Sequence, residues 1–106
     1  NASKVSEAIA ENTYQTQILN LENQRLSLMS RYENYLQTVA FYEENSLTEA
    51  KVIRETANKQ FINGEINYLD WVLLNNQVVS IQANYLDLVR NLNESIISLN
   101  YLNTKE

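Results

Sequence analysis

The sequence contains no cysteine, no histidine and no proline, and its 106 residues include a single glycine, Gly64. Without Cys or His there can be no disulfide, thiol nucleophile or His-dependent triad, and most transition-metal sites are excluded. The lack of Cys fits either redox compartment. Glycine and proline usually supply about 7% and 5% of a chain, so one with so few breakers is expected to be helical along almost its whole length. The same scarcity excludes a β-sandwich, a dinucleotide-binding fold and a Gly-rich phosphate loop. Positive charge is also short: 8 Lys and Arg against 13 Asp and Glu leave a formal charge of -5. A nucleic-acid partner is therefore not expected, since phosphate neutralisation needs clustered basic residues. No run approaches the roughly 18 apolar residues of a membrane-spanning helix, and the first residues do not read as a signal peptide. The chain opens on Asn1-Ala2-Ser3-Lys4 without an initiator Met, so residues 1–106 are expected to be one helical fragment of a larger protein.

Amides and apolar residues at helical spacing are plentiful. Asn occurs 16 times and Gln 7 times. Asn is a mediocre helix former because its side chain competes for backbone hydrogen bonds, so these helices must be held by packing. In the first segment Tyr14, Ile18, Leu21, Arg25, Leu28, Tyr32, Tyr35 and Val39 alternate steps of four and three. This is a heptad seam, which implies a left-handed supercoil. Leu19, Leu26, Met29, Leu36 and Ala40 form a second seam, interrupted by Glu22 and Glu33. In the last segment Trp71, Leu74, Val78, Ile81, Tyr85, Leu88, Leu92, Ser95, Leu99 and Leu102 repeat the pattern, with only Ser95 polar. Beside them run Val72, Asn75, Val79, Gln82, Leu86, Val89, Asn93, Ile96 and Asn100, a mixture of apolar and amide side chains. With only Asp70, Asp87, Arg90 and Glu94 charged between Asn67 and Thr104, this helix is expected to have neighbours on more than one side.

Punctuation divides the chain into three helices. Ser46-Leu47-Thr48-Glu49 has the form of a capping box, so a start is expected at Ser46 and a chain reversal at Tyr42, Glu43, Glu44, Asn45 and Ser46. Leu47, Ala50, Ile53, Ala57 and Phe61 then make one apolar face. Asn63-Gly64 ends that helix, because Gly accepts the left-handed conformation just past a helix. Asn67 is a good N-cap, with Asp70 three residues on. The expected fold is all-α: a long antiparallel coiled-coil hairpin of three helices, at about 3–42, 47–62 and 68–102. Helix one runs out to the Tyr42–Ser46 turn, and helices two and three return antiparallel to it, end to end across Gly64.

Candidate chemistry is thin. Glu43 and Glu44 could be an acid–base pair or Ca²⁺ ligands, but an EF-hand-like loop needs more oxygen ligands and a Gly; a solvated turn accounts for them. Arg25, inside an apolar seam, either pairs with a carboxylate on a facing helix or snorkels. Trp71 and the seven Tyr at heptad positions read as core rather than as a stacking platform. Neither an enzyme nor a bound cofactor or metal is expected, and residue physics alone points to packing against other helices.

The stretch from Phe61 to Val72, Phe-Ile-Asn-Gly-Glu-Ile-Asn-Tyr-Leu-Asp-Trp-Val, resembles a signature of TolC-type outer-membrane efflux channels. There an aromatic residue, a Gly and a polar cap are followed by an aromatic-Leu-Asp-hydrophobic run and a long helix rich in Gln, Asn, Leu and Tyr. The matching helix-break positions are Gly64, Asn67, Leu69 and Asp70. The specific part covers about 15 residues; the rest is helical periodicity that many coiled coils share. The flavour is closest to versions that serve heavy-metal pumps of the resistance-nodulation-division class, some fused to the pump itself. The resemblance implies the C-terminal repeat of a periplasmic helical tunnel, in an outer-membrane protein of a Gram-negative bacterium. Its partners would be other helices of the parent, homotrimer neighbours, a periplasmic adaptor and an inner-membrane pump. It puts Tyr42–Ser46 at the periplasmic tip and Gly64 midway along the wall. A cargo such as metal cations would pass without being bound. The competing reading is a soluble coiled-coil interaction module with no transport role.

Overall fold

The computed structural model describes residues 1–104. It consists of α1 (Ala2–Phe41), a single wide turn of π-helix (Tyr42–Ser46), α2 (Leu47–Ile62) and α3 (Tyr68–Thr104), with no strand among the described residues. The all-α, elongated hairpin expected from the sequence is present. Its principal extents are 89 × 22 × 15 Å. The radius of gyration is 24.7 Å, against about 13 Å for a compact domain of similar length.

The position of the reversal differs from expectation. Tyr42, Glu43, Glu44, Asn45 and Ser46 do not turn the chain back: the backbone stays right-handed helical, with Phe41 at φ −60°, ψ −44° and Ser46 at φ −65°, ψ −40°. Ser46 makes no side-chain cap hydrogen bond, so the capping box does not form. Residues 2–62 are one continuous rod, and its length at 1.5 Å per residue, about 90 Å, accounts for the long axis. The chain turns at 63–67, and α3 alone returns, packing against both α1 and α2.

Packing explains why the cap signal lost. The ten-residue seam of α3 is half-buried or buried at every position from Trp71 to Leu102. With the chain reversing at 63–67 and Tyr42 level with Tyr85, the stripe lies opposite about residues 25–60, so the rod has to run unbroken through 42–46 to cover it. On the rod the facing seam runs through Leu21, Arg25, Leu28, Tyr32, Tyr35, Val39, Tyr42, Ser46, Ala50, Ile53, Ala57 and Gln60, with Leu47, Arg54 and Asn58 half-buried beside it. Their steps alternate four and three except once: 42 to 46 to 50 is four and four, a local change of spacing from the heptad. A π-turn holds one residue more than an α-turn, and it falls at this point. The Leu47 N–H donates to Tyr42 O, five residues back. Asn45 Nδ2 donates to Phe41 O at 3.3 Å, and Tyr42 stacks on Tyr85 of α3 with ring centroids 6.4 Å apart.

The best-buried side chains are small or aliphatic: Val39, Ala50, Ala57, Val78, Leu99 and Leu102, with Ser95, whose hydroxyl donates to Asn91 O at 3.0 Å. Arg25 is ion-paired to Glu22, one turn earlier on its own helix, at 3.0 Å. From the Tyr42–Tyr85 register, Leu102 falls opposite about residue 25. Residues 1–20 are accordingly exposed throughout, the seam residues Tyr14 and Ile18 included.

Deleting Glu44 removes the residue by which the wide turn exceeds an α-turn and leaves seam steps of three and three at that point. The expected outcome is an α-helix through the site and a melting temperature raised by a few degrees, about 1 kcal/mol for a chain of this size. A lower melting temperature in a thermal circular-dichroism scan would show that the wide turn itself favours the packing of the rod on α3.

Candidate functional site

The end of the hairpin is where the sequence departs most from uniform helix, and each departure has a partner. Gly64 adopts φ +75°, the left-handed region in which a Cβ is penalised. Glu65 N–H donates to Gln60 O at 2.8 Å and Gly64 N–H to Phe61 O at 3.1 Å. These are the two bonds of a Schellman motif, and they satisfy carbonyls that the end of α2 would otherwise leave open. Asn67 caps the next helix as expected: its Oδ1 accepts from Asp70 N–H at 2.8 Å, and its carbonyl accepts from Trp71 N–H at 3.1 Å. The Asp70 carboxylate lies in the first turn of α3, where the helix dipole favours negative charge.

Aromatic residues clamp the turn. Phe61 and Trp71 stack with centroids 5.2 Å apart, and Tyr68 lies 6.3 Å from Phe61 and 6.0 Å from Trp71. Trp71 Nε1–H donates to Asn58 Oδ1 at 2.8 Å, a hydrogen bond across the hairpin that the sequence did not reveal. Asn75 Nδ2 donates to Trp71 O at 2.9 Å. Outside the clamp, Ile62, Tyr68 and Leu69 are exposed, Ile62 at 82%. The end of the hairpin is thus rigid in its backbone and apolar at its tip. Gly64, Asn67 and Asp70 come together here with Leu69. Tyr42, Glu43, Glu44, Asn45 and Ser46 lie in the rod, far along from this end.

The hairpin has two unlike faces. Residues one position before each seam residue share open grooves between the helices. Thr38 lies with Asn84, Asp87 and Asn91, and Arg31 with Asn91, Glu94 and Ser98. This face is polar. Residues one position after the seam lie on the opposite face, where Leu26, Leu36, Val79, Leu86 and Ile96 are exposed. No group of three or more acidic residues able to hold a metal ion is found among the described residues. None of their helices is long and apolar enough to cross a membrane.

No family model, curated protein or solved structure matches the chain.

A Cβ built on Gly64 meets nothing within 4 Å, so Gly64→Ala carries only the backbone cost. The expected loss is about 1–2 kcal/mol in urea-unfolding stability. For the clamp, Trp71→Phe and Asn58→Ala should each cost about 1 kcal/mol, with the double variant costing clearly less than their sum. Full additivity would mean that the cross-hairpin hydrogen bond contributes nothing.

Proposed function

We propose that the chain is a structural element of a TolC-type efflux channel: a helical hairpin in the wall of a periplasmic tunnel, in a protein anchored in the outer membrane. The observation that supports this reading is that the run from Phe61 to Val72, on which the resemblance rests, is a built helix break capped on both sides; that it reverses the chain departs from the mid-wall position the resemblance gives it. An enzyme would need a cleft with convergent polar groups; the features found here are a rod, a return helix and a built turn. The hairpin's dimensions suit a wall element, and its uncovered apolar positions suit a chain flanked by further helices. Substrates, metal cations among them, would pass along the wall.

The geometry changes one part of the reading. The end of a hairpin is where its chain reverses, so the tip facing a periplasmic adaptor is the 63–67 turn with Ile62, Tyr68 and Leu69, rather than Tyr42–Ser46. Gly64 then belongs at the tunnel entrance and not midway along the wall. Exposed apolar and aromatic side chains on a rigid turn are the kind of surface a protein partner covers.

The test is made in the full-length parent. Ile62→Ser with Leu69→Ser changes exposed side chains and leaves the Gly64 and Asn67 caps intact. The expected outcome is normal expression with efflux-dependent resistance lost or strongly reduced. Full resistance at normal expression would overturn the adaptor-facing assignment. A parent gene without a second helical repeat and short amphipathic strands would overturn the channel reading itself.

A further inference from the structure

We infer that two copies of this chain stack through their apolar faces, tips at opposite ends, into an antiparallel four-helix bundle. The inference does not rest on the channel reading and is an alternative to it, since it covers with a second copy the face that a tunnel wall would cover with further helices. It begins with the order of residues along the uncovered face of α3: Val72, Asn75, Val79, Gln82, Leu86, Val89, Asn93, Ile96, Asn100. Val79, Leu86 and Ile96 are exposed, and Val72 and Val89 are half-buried. The series reads nearly the same from both ends. About a point between Asp87 and Leu88, Leu86 exchanges with Val89, Gln82 with Asn93, Val79 with Ile96 and Asn75 with Asn100. An α3 laid antiparallel on its own copy about that point therefore sets apolar against apolar and amide against amide. Only Val72, which would meet Asn103, departs from the pattern. A plain seven-residue repeat does not produce this. The apolar residues change heptad position at the midpoint, from the track of 72, 79 and 86 to that of 89 and 96.

The rod supplies an independent sign. Its residues on the same face carry acid toward one end, Glu22 and Glu33, and base toward the other, Lys51 and Arg54. Their midpoint is close to Ala40. Through the Tyr42–Tyr85 stack, Ala40 lies level with Asp87, at the centre of the α3 pattern. A two-fold axis in the plane of the face and perpendicular to the helices puts each rod antiparallel on its copy, bringing the acidic half over the basic half. Glu43, in the wide turn, lies beside the axis. The alternative axis, parallel to the helices, leaves tips at the same end, lays α3 on the copy's rod and forfeits both correspondences.

Angle and area agree. Residues one position after the seam are about 100° round the helix from it, near the right angle that a square of four helices requires. The stretch from Val72 to Asn100 is about 42 Å long at 1.5 Å per residue. Across the 22 Å width of the hairpin the footprint is about 900 Å² per copy, in the range of specific interfaces of about 800 Å² per partner.

The chain has no native cysteine, so engineered ones report without interference. Val79→Cys and Ile96→Cys are made separately, at positions 53% and 38% exposed in the hairpin. Sedimentation is expected to give twice the 12.3 kDa of one chain. Mild oxidation is expected to link Val79→Cys chains to Ile96→Cys chains in a mixture. Val79→Cys alone should stay unlinked, because its two copies sit about 25 Å apart along the axis. Leu86→Asp, with helix content checked by circular dichroism, is expected to weaken dimerisation more than a hundredfold. A monomer, a dimer without the mixed disulfide, or an unchanged dimer with Leu86→Asp overturns the bundle. A trimer also overturns it, while agreeing with the channel reading, whose own test is resistance in the parent.

Discussion

One continuous stripe, Trp71 to Leu102 on α3, governs the rest of the structure. Ten side chains at heptad spacing have to be removed from water, and the protein has one other helical segment with which to cover them. From this follow the fusion of α1 and α2 into a single rod, the placement of the reversal at 63–67, and the persistence of helix through Tyr42–Ser46 despite a sequence that invites a new start. A capping box contributes locally, on the order of 1 kcal/mol. Breaking the rod at Ser46 would uncover several seam residues on each side, at about 1.5–3 kcal/mol for each large aliphatic side chain fully exposed. The larger sum decides the fold.

The same comparison explains what could be read from the sequence. The helices and their ends were legible because three signals agreed at each true boundary: Gly64 after the last periodic residue, Asn67 as an acceptor, Asp70 in the first turn. The α3 seam was legible in full, as was the role of Gly64. The reversal was misplaced because Ser46 and Glu49 carry a real cap signal, which is local, whereas the feature that overrides it is the summed length of two stripes. A trace of that feature is present in Val39, Tyr42, Ser46, Ala50 and Ile53, which carry the seam through the expected reversal at steps of three, four, four and three. The Trp71–Asn58 hydrogen bond could not be read, since a pair 13 residues apart across a turn has no periodic signature.

The two faces give the hairpin its functional character. Its reactive groups are dispersed, its polar grooves are open, and its built region is a turn stiffened by two caps and three aromatic rings. Such a molecule holds its surfaces in fixed relation to one another. The polar face can remain in water, the apolar face calls for another helix layer, and the tip offers Ile62, Tyr68 and Leu69 to whatever meets it end on.

The turn also sets the order in which the structure can assemble. Residues flanking 63–67 are close in sequence as well as in space, so closing that loop costs little entropy, and the Schellman bonds and the Asn67 cap can form before any distant contact. Each successive pair, from Trp71 with Asn58 outward to Tyr85 with Tyr42, adds burial to a loop already closed. Loop-closure entropy thus favours folding as a zipper from the tip. Residues 1–20, which no part of α3 overlies, gain nothing from the zipper and depend on helix propensity alone, which is marginal for a segment of that length.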